Sequence, residues 1–179
     1  MNFDTTHWHT EKILRPRCAA TLARRLREQG RKIITTNGSF DLLHAGHLDQ
    51  LEEARGLGDV LFVGLNTDRP IRAAKGPGRP VIPAPARAAL LAALACVDYV
   101  VLMSGTYEEE PMRSLLIPVR PHIHVNGPDY GPPRRWREYP LMRELGIRGH
   151  TVRRRNDFST TAIIERLLSR HGGRSASSE

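Results

Sequence analysis

Residues Arg31 to Leu65 read RKIITTNGSFDLLHAGHLDQLEEARGLGDVLFVGL, and this stretch decides the fold. Ile33, Ile34, Thr35 and Thr36 form a β-branched run, which predicts a buried strand over Arg31–Thr36. Asn37-Gly38-Ser39 is a turn signal. From about Ala45 to Leu57 a helix is expected, with Leu48, Leu51 and Ala54 inward and Gly56 and Gly58 at its end. Val60, Leu61, Phe62 and Val63 mark a second strand over Asp59–Leu65. Two strands joined by one helix of this length make a βαβ unit, with parallel strands and a right-handed crossover.

The same alternation extends in both directions. Cys18 to Gln29 reads as an amphipathic helix carrying Leu22 and Leu26, and residues 1–16 as an irregular lead-in. Arg72 to Pro85, rich in Gly, Pro and basic residues, reads as a loop. Helices are expected over Ala86–Ala95, Glu108–Leu116, Arg137–Leu145 and Thr160–Leu168. Strands are expected over Val97–Met103, His122–Asn126 and Ile147–Arg153, and residues 171–179 as a frayed, disordered Gly/Ser-rich tail. The prediction is an α/β fold: a Rossmann-like open parallel five-stranded sheet with helices on both faces, in one domain over residues 17–170. Ligands of such sheets bind at the carboxyl ends of the strands.

Composition narrows the function classes. Cys18 and Cys96 lie far apart with no C-x-x-C pattern, which argues against a disulfide framework and fits a reducing cytoplasm. The His-rich, polar N-terminus lacks the apolar run of a signal peptide, and no stretch reaches the roughly 20 apolar residues of a membrane span. A cytoplasmic protein without a membrane partner is therefore expected. The net charge of +8 suits either nucleic acid or anionic small substrates. Arg134, Arg135, Arg137 and Arg153 to Arg155, with Trp136 and Tyr139, are the candidate nucleic-acid surface. No helix-turn-helix, zinc-finger or RNA-recognition signature accompanies them, so small-molecule partners are preferred over nucleic acid.

The turn after the first strand carries the chemistry. Gly38 lets the backbone present N–H groups to an anion, and the following helix aims its positive end at the same space. His44 and His47, three apart, share one face of that helix's first turn, and Gly46 lets a ligand approach closely. The same spacing would also suit two surface histidines or half of a zinc site, but zinc needs further ligands. The other histidines (His7, His9, His122, His124, His150 and His171) supply no partner motif.

Asn37 to His47 resembles the H-x-G-H signature of the cytidylyltransferase-like nucleotidyltransferases. Val63 to Asp68, Lys75-Gly76-Pro77-Gly78-Arg79-Pro80-Val81, Arg87 with Leu91 to Leu94, and Val97 to Val101 resemble the heptose 1-phosphate adenylyltransferase branch, which makes ADP-heptose. Asn126-Gly127-Pro128-Asp129-Tyr130 and Phe158-Ser159-Thr160-Thr161 match later motifs in order. Three positions depart from the pattern: Asn126 and Pro128 replace a Lys and a Gly, and Ser39 replaces a Cys.

The resemblance implies an in-line attack of a substrate phosphate on the α-phosphorus of ATP, with Mg²⁺ on the triphosphate and a homodimeric protein. It implies His44, His47 and Lys75 as catalytic groups. Asn37, Gly38, Ser39, Phe40, Gly46, Asn126, Gly127, Asp129, Tyr130, Ser159, Thr160 and Thr161 would join the two histidines in binding nucleotide. Asp41, Asn66, Asp68, Arg79 and Arg87 would bind the sugar phosphate, with Arg79 or Arg87 as a fork on phosphate. Lys75 is expected in a mobile loop. Blander roles stay open: Asp41 as a helix cap, Asn66 and Asp68 as an Asx-turn, and Ser159 as an N-cap. A cytidylyltransferase for a small phosphate or phosphonate, or an FAD synthetase, would share the H-x-G-H motif.

Overall fold

The computed structural model describes residues 8–106 and 109–171. A short 3-10 turn leads into strand β1 (Ile13–Leu14) and helix α1 (Pro16–Glu28). Strand β2 (Ile33–Gly38), helix α2 (Ala45–Arg55) and strand β3 (Val60–Asn66) form the βαβ unit, with β2 and β3 parallel. Then follow α3 (Asp68–Lys75), α4 (Ala84–Ala92) and β4 (Tyr99–Met103). A π-helical segment, Pro111–Leu116, runs into α5 (Ile117–Val119). The chain continues through β5 (Ile123–Asn126), α6 (Tyr139–Glu144), β6 (Arg148–Thr151) and α7 (Thr160–His171).

The strands form one parallel sheet in the order β1-β4-β3-β2-β5-β6. It has six strands where five are expected. The additional one is β1, inside the expected irregular lead-in, where Ile13 pairs with Val100 and Leu14 with Val101. Two residues are too few to show a period.

All seven residues of β3 are buried, because helices cover both faces of the sheet. Side chains alternate between those faces. Leu61, Val63 and Leu65 pack with Leu51 and Ala54 of α2 and with Ala88 and Leu91 of α4. Val60 and Phe62 pack the other way, against Ala19 and Ala23 of α1 and against Leu115 and Val119. Full burial of each such Leu or Phe contributes about 2 kcal/mol. Strand β2 is the pivot, since β3 lies on one side and β5 on the other. The reversal opens a crevice at the carboxyl ends of β2 and β5.

Three local expectations change. Leu48 is 41% exposed, so the inward stripe of α2 begins at Leu51. Residues 68–75 form α3, so Lys75 ends a helix instead of riding in a loop. Pro70 sits in the first turn, where its missing N–H has no intrahelical partner to lose. Helix α7 continues to His171, past the expected end at Leu168. The expected start at Glu108, and the tail from residue 172, lie outside the described residues.

Candidate active site

A cleft of about 410 Å³ lies at the carboxyl ends of β2 and β5. Its walls come from the β2–α2 turn, the ends of α3 and the following loop, residues 127–130, and the β6–α7 connection. The N-termini of α2 and α7 both border it, placing two positive helix ends against one space.

The β2–α2 turn is tightly wound. Phe40 and Leu42 take left-handed φ values of 46° and 50°, a conformation that costs energy for bulky residues and needs surrounding contacts to hold it. Those contacts converge on Asp41. Its carboxylate is 0% exposed and accepts from Val81 N (3.0 and 2.9 Å), Ile82 N (2.9 Å) and Arg79 Nε (2.8 Å). Burial alone would raise the Asp41 pKa, but the Ile82 and Val81 amides and Arg79 outweigh it and hold it low. On the backbone side, Thr160 Oγ1 donates to Asp41 O at 2.6 Å, which fastens the start of α7 to the turn.

Arg87 anchors the same turn from below. It is 1% exposed and donates to Ile82 O (2.7 Å), Asn66 O (2.9 Å), Ser39 O and Asp68 Oδ1 (2.6 Å). Burial pulls its pKa down while Asp68 opposes that pull. Asp68 also accepts from Ala84 N at 2.9 Å, which joins α3 to α4. Arg87 was expected as a phosphate fork, yet its guanidinium is occupied by the protein and does not line the cleft.

The two histidines come together as expected from their spacing. His44 is the N-cap of α2, and its Nδ1 accepts from His47 N at 3.4 Å. That bond places the ring proton of a neutral His44 on Nε2. The rings stack with centroids 3.8 Å apart and 21° between planes. Phe40 tilts against His47 at 5.2 Å. Burial pushes the His47 pKa down to about 3, helped by His44 and Lys75 and opposed by Asp41, and burial also lowers that of His44. Both shifts favour the neutral rings near pH 7, and a neutral imidazole can donate one hydrogen bond. Lys75 Nζ donates to Ser39 Oγ at 3.2 Å, bringing its charge to the same turn.

Gly46 lines the cleft, and packing within the chain also requires a glycine there. A Cβ there would lie 2.8 Å from Phe158 O and 3.1 Å from the His44 ring. The close approach is made by the chain itself. Ser159 is an N-cap, its Oγ accepting from Ala162 N at 3.1 Å.

The cleft gathers Asn37 to Asp41, His44, Gly46, His47, Lys75, Arg79, Gly127, Asp129, Tyr130 and Ser159 to Thr161. Asn66, Asp68, Arg87 and Asn126 do not line it. Asn126 is 1% exposed, and its Nδ2 donates to Glu138 Oε1 at 2.7 Å. The residues missed by sequence reasoning include Asp49, Gln50 and Asn156. Arg153, Arg154 and Arg155 line the cleft as well, although their run reads as a surface cluster. Carboxylates hold this segment: Arg154 pairs with Asp129, Arg155 with Glu53 (2.9 Å), and Asn156 donates to Asp49 (2.6 Å). The available signal was position, between the last strand and Ser159-Thr160-Thr161.

Among the described residues no helix is long and apolar enough to cross a membrane. Residues 35–166 match the profile of the cytidylyltransferase-like family. The bifunctional protein HldE of Pelobacter propionicus is 44% identical over 156 residues, covering 85% of this chain and 30% of that protein. HldE of Helicobacter pylori strain HPAG1 is 40% identical over 146 residues, covering 82% of this chain and 30% of that protein. The chain thus spans about 30% of the length of these curated relatives. A lipopolysaccharide core biosynthesis protein from Thermoplasma volcanium superposes with TM-score 0.59 at 27% identity, over 71% of this chain and 100% of that one. A pantoate-beta-alanine ligase from Francisella tularensis shares the fold, with TM-score 0.60 at 15% identity over 85% of this chain and 75% of that one.

Proposed function

The chain belongs to the cytidylyltransferase-like family of nucleotidyltransferases, and from that premise we propose that it transfers AMP from ATP to a sugar 1-phosphate, giving ADP-sugar and pyrophosphate. Heptose 1-phosphate is the acceptor we favour, on the Lys75 to Val81 loop and the likeness to the HldE proteins. The observation that carries the reading is the stacked His44–His47 pair at the N-terminus of α2, opening on a cleft at the sheet's switch point.

The acceptor phosphate attacks the α-phosphorus through one oxygen, and the bond to the β-phosphate's bridging oxygen breaks. A phosphate monoester is largely ionised near neutral pH, so the step needs no general base. The protein's work is positioning and charge stabilisation. His44 donates through Nε2–H, and His47 offers the second ring, as charge builds on the phosphorus and the leaving pyrophosphate. Lys75 adds a point charge from the end of α3. The N-termini of α2 and α7 supply further N–H groups, and Gly127 to Tyr130 border the far end of the cleft, where we put the base.

Mg²⁺ would offset triphosphate charge. The residues present do not fit a dedicated protein cage: Asp41, Asp68 and Asp129 are engaged by Arg79, Arg87 and Arg154. No group of three or more potential ligands occurs among the described residues. Mg²⁺ would be held on nucleotide oxygens and water, its usual manner with phosphates. A cytoplasmic homodimer is part of the same proposal.

The test is pyrophosphate release with ATP, CTP, GTP or UTP, each paired with heptose 1-phosphate or glycerol phosphate. ATP with heptose 1-phosphate should give the highest kcat/KM. Release only with CTP and glycerol phosphate would overturn the proposal.

A further inference from the structure

Two amide oxygens at the carboxyl rim of the sheet stand out. On β2, Ile33 packs toward α1, and Asn37 follows at even spacing, so it projects from the same face. On β3, Val60 and Phe62 face α1, which puts Gly64 and Asn66 on that face too. Asn37 is in register with Gly64, so Asn37 and Asn66 are diagonal neighbours with a glycine between them. A Cβ on Gly64 would lie 2.8 Å from Met103 Sδ and 3.0 Å from Asn37 Cβ. Glycine at that position is what leaves Asn37 its place.

Asn66 is 1% exposed, and the Oδ1 atoms of both asparagines are buried without a hydrogen-bond partner among the described residues. Buried acceptors in this state ask for a donor. The neighbouring polar groups have partners already: Arg87 takes Asn66 O and Asp68, and the 79–82 segment takes Asp41. Asn37 lines the cleft, and Asn66 is its diagonal neighbour on β3, across β2 from the β5 end that carries Gly127 to Tyr130.

We propose that Asn37 and Asn66 form a hydroxyl-recognition subsite, in which their amide oxygens accept hydrogen bonds from sugar hydroxyls of the acceptor substrate. This rests on the sugar-phosphate reading above and deepens it. An amide oxygen only accepts, and so does an ionised phosphate, so these two oxygens cannot bind phosphate, which is left to Lys75 and the helix N-termini. A hydroxyl donates, and it satisfies an oxygen that no donor among the described residues reaches. Asn66 lies on β3, across β2 from the wall we assign to the base, which gives the pair to the acceptor and not to the nucleotide.

The experiment is a pyrophosphate-release series using ATP with heptose 1-phosphate and its monodeoxy analogues. It is run on the wild type, Asn66→Asp and Asn66→Leu, with a crystal structure of the wild-type acceptor complex. In the wild type, at least one deoxy analogue should lose about tenfold or more in kcat/KM, since a site built to bond a hydroxyl rejects the analogue lacking it. Asn66→Asp keeps an acceptor oxygen and should keep the discrimination, whereas Asn66→Leu should flatten it. A purely structural asparagine would lower every substrate alike and leave the ratio unmoved, which overturns the subsite. So does a complex in which an ordered water, and no sugar hydroxyl, bridges the two amides. Should Asn66→Leu fail to fold, the acceptor complex decides: a sugar hydroxyl within hydrogen-bond distance of the two amide oxygens supports the subsite, and its absence overturns it. No turnover with any sugar 1-phosphate removes the function and the subsite together, whereas turnover without discrimination removes only the subsite.

Discussion

Replacing Arg87 by Met tests whether this arginine is a strut or a ligand-binding group. Its guanidinium bonds three backbone carbonyls and Asp68, tying together the β2–α2 turn, the end of β3, the 79–82 segment and the start of α3. Removing one partner of a buried, hydrogen-bonded charge pair costs about 3–5 kcal/mol. The Asp68 side chain is 30% exposed, so water reaches the carboxylate left behind and the lower end, about 3 kcal/mol, applies. In a chain of this size each kcal/mol moves Tm by about 2–4 °C, so a fall of about 6–12 °C is expected. Thermal unfolding followed by circular dichroism reads the first quantity. Equilibrium dialysis of ATP, well below the lowered Tm, reads the second. ATP affinity of the folded variant should change less than about threefold, because the guanidinium does not line the cleft and meets it only through the Ser39 carbonyl, which points away from the ligand space. An unchanged Tm with a tenfold loss of ATP affinity would refute the reasoning and put Arg87 on the nucleotide.

Three further outcomes are expected. His47→Ala should lower kcat by about 10²-fold while the protein stays folded, the scale of losing one transition-state donor; stopped pyrophosphate assays check it. Gly46→Ala puts a methyl 2.8 Å from Phe158 O, so it should displace the start of α7 and weaken ATP binding, measurable by calorimetry alongside Tm. Stability should fall on acidification. His47 and His124 stay neutral in the folded protein down to about pH 3, because burial disfavours their charged forms. The unfolded chain protonates them near pH 6.5, so protons favour unfolding between those values. The slope approaches about 1.4 kcal/mol per pH unit for each ring. Urea unfolding from pH 7 to 4 measures it.

Much of the fold was legible because it rests on runs of residues. Ile33 to Thr36 and Val60 to Val63 are buried on both faces, so their apolar continuity survives any detail of packing. Ile13 and Leu14 were invisible because a two-residue edge strand has no period and is defined only by β4. Helix α3 was hidden by Pro70 and three arginine or lysine positions, which read as loop composition. In the site, the His44–His47 pair was legible from its spacing alone. Asp41 and Arg87 were harder. A charged residue beside a phosphate-binding turn reads as ligand-facing until its partners are known. Those partners, Arg79 for Asp41 and the Ser39 carbonyl for Arg87, lie 38 and 48 positions away. The same holds for Gly46, whose neighbour Phe158 arrives from the far end of the chain. Pairings across the sequence, set by the order of the strands, are what residue-by-residue reading lacks.

The most direct test of the account is a crystal structure of the protein with a non-hydrolysable ATP analogue. The expected result is a triphosphate within hydrogen-bond distance of the His44 and His47 rings and Lys75, with the base against residues 127–130. A nucleotide bound elsewhere, or a zinc ion ligated by the two imidazoles, would contradict it.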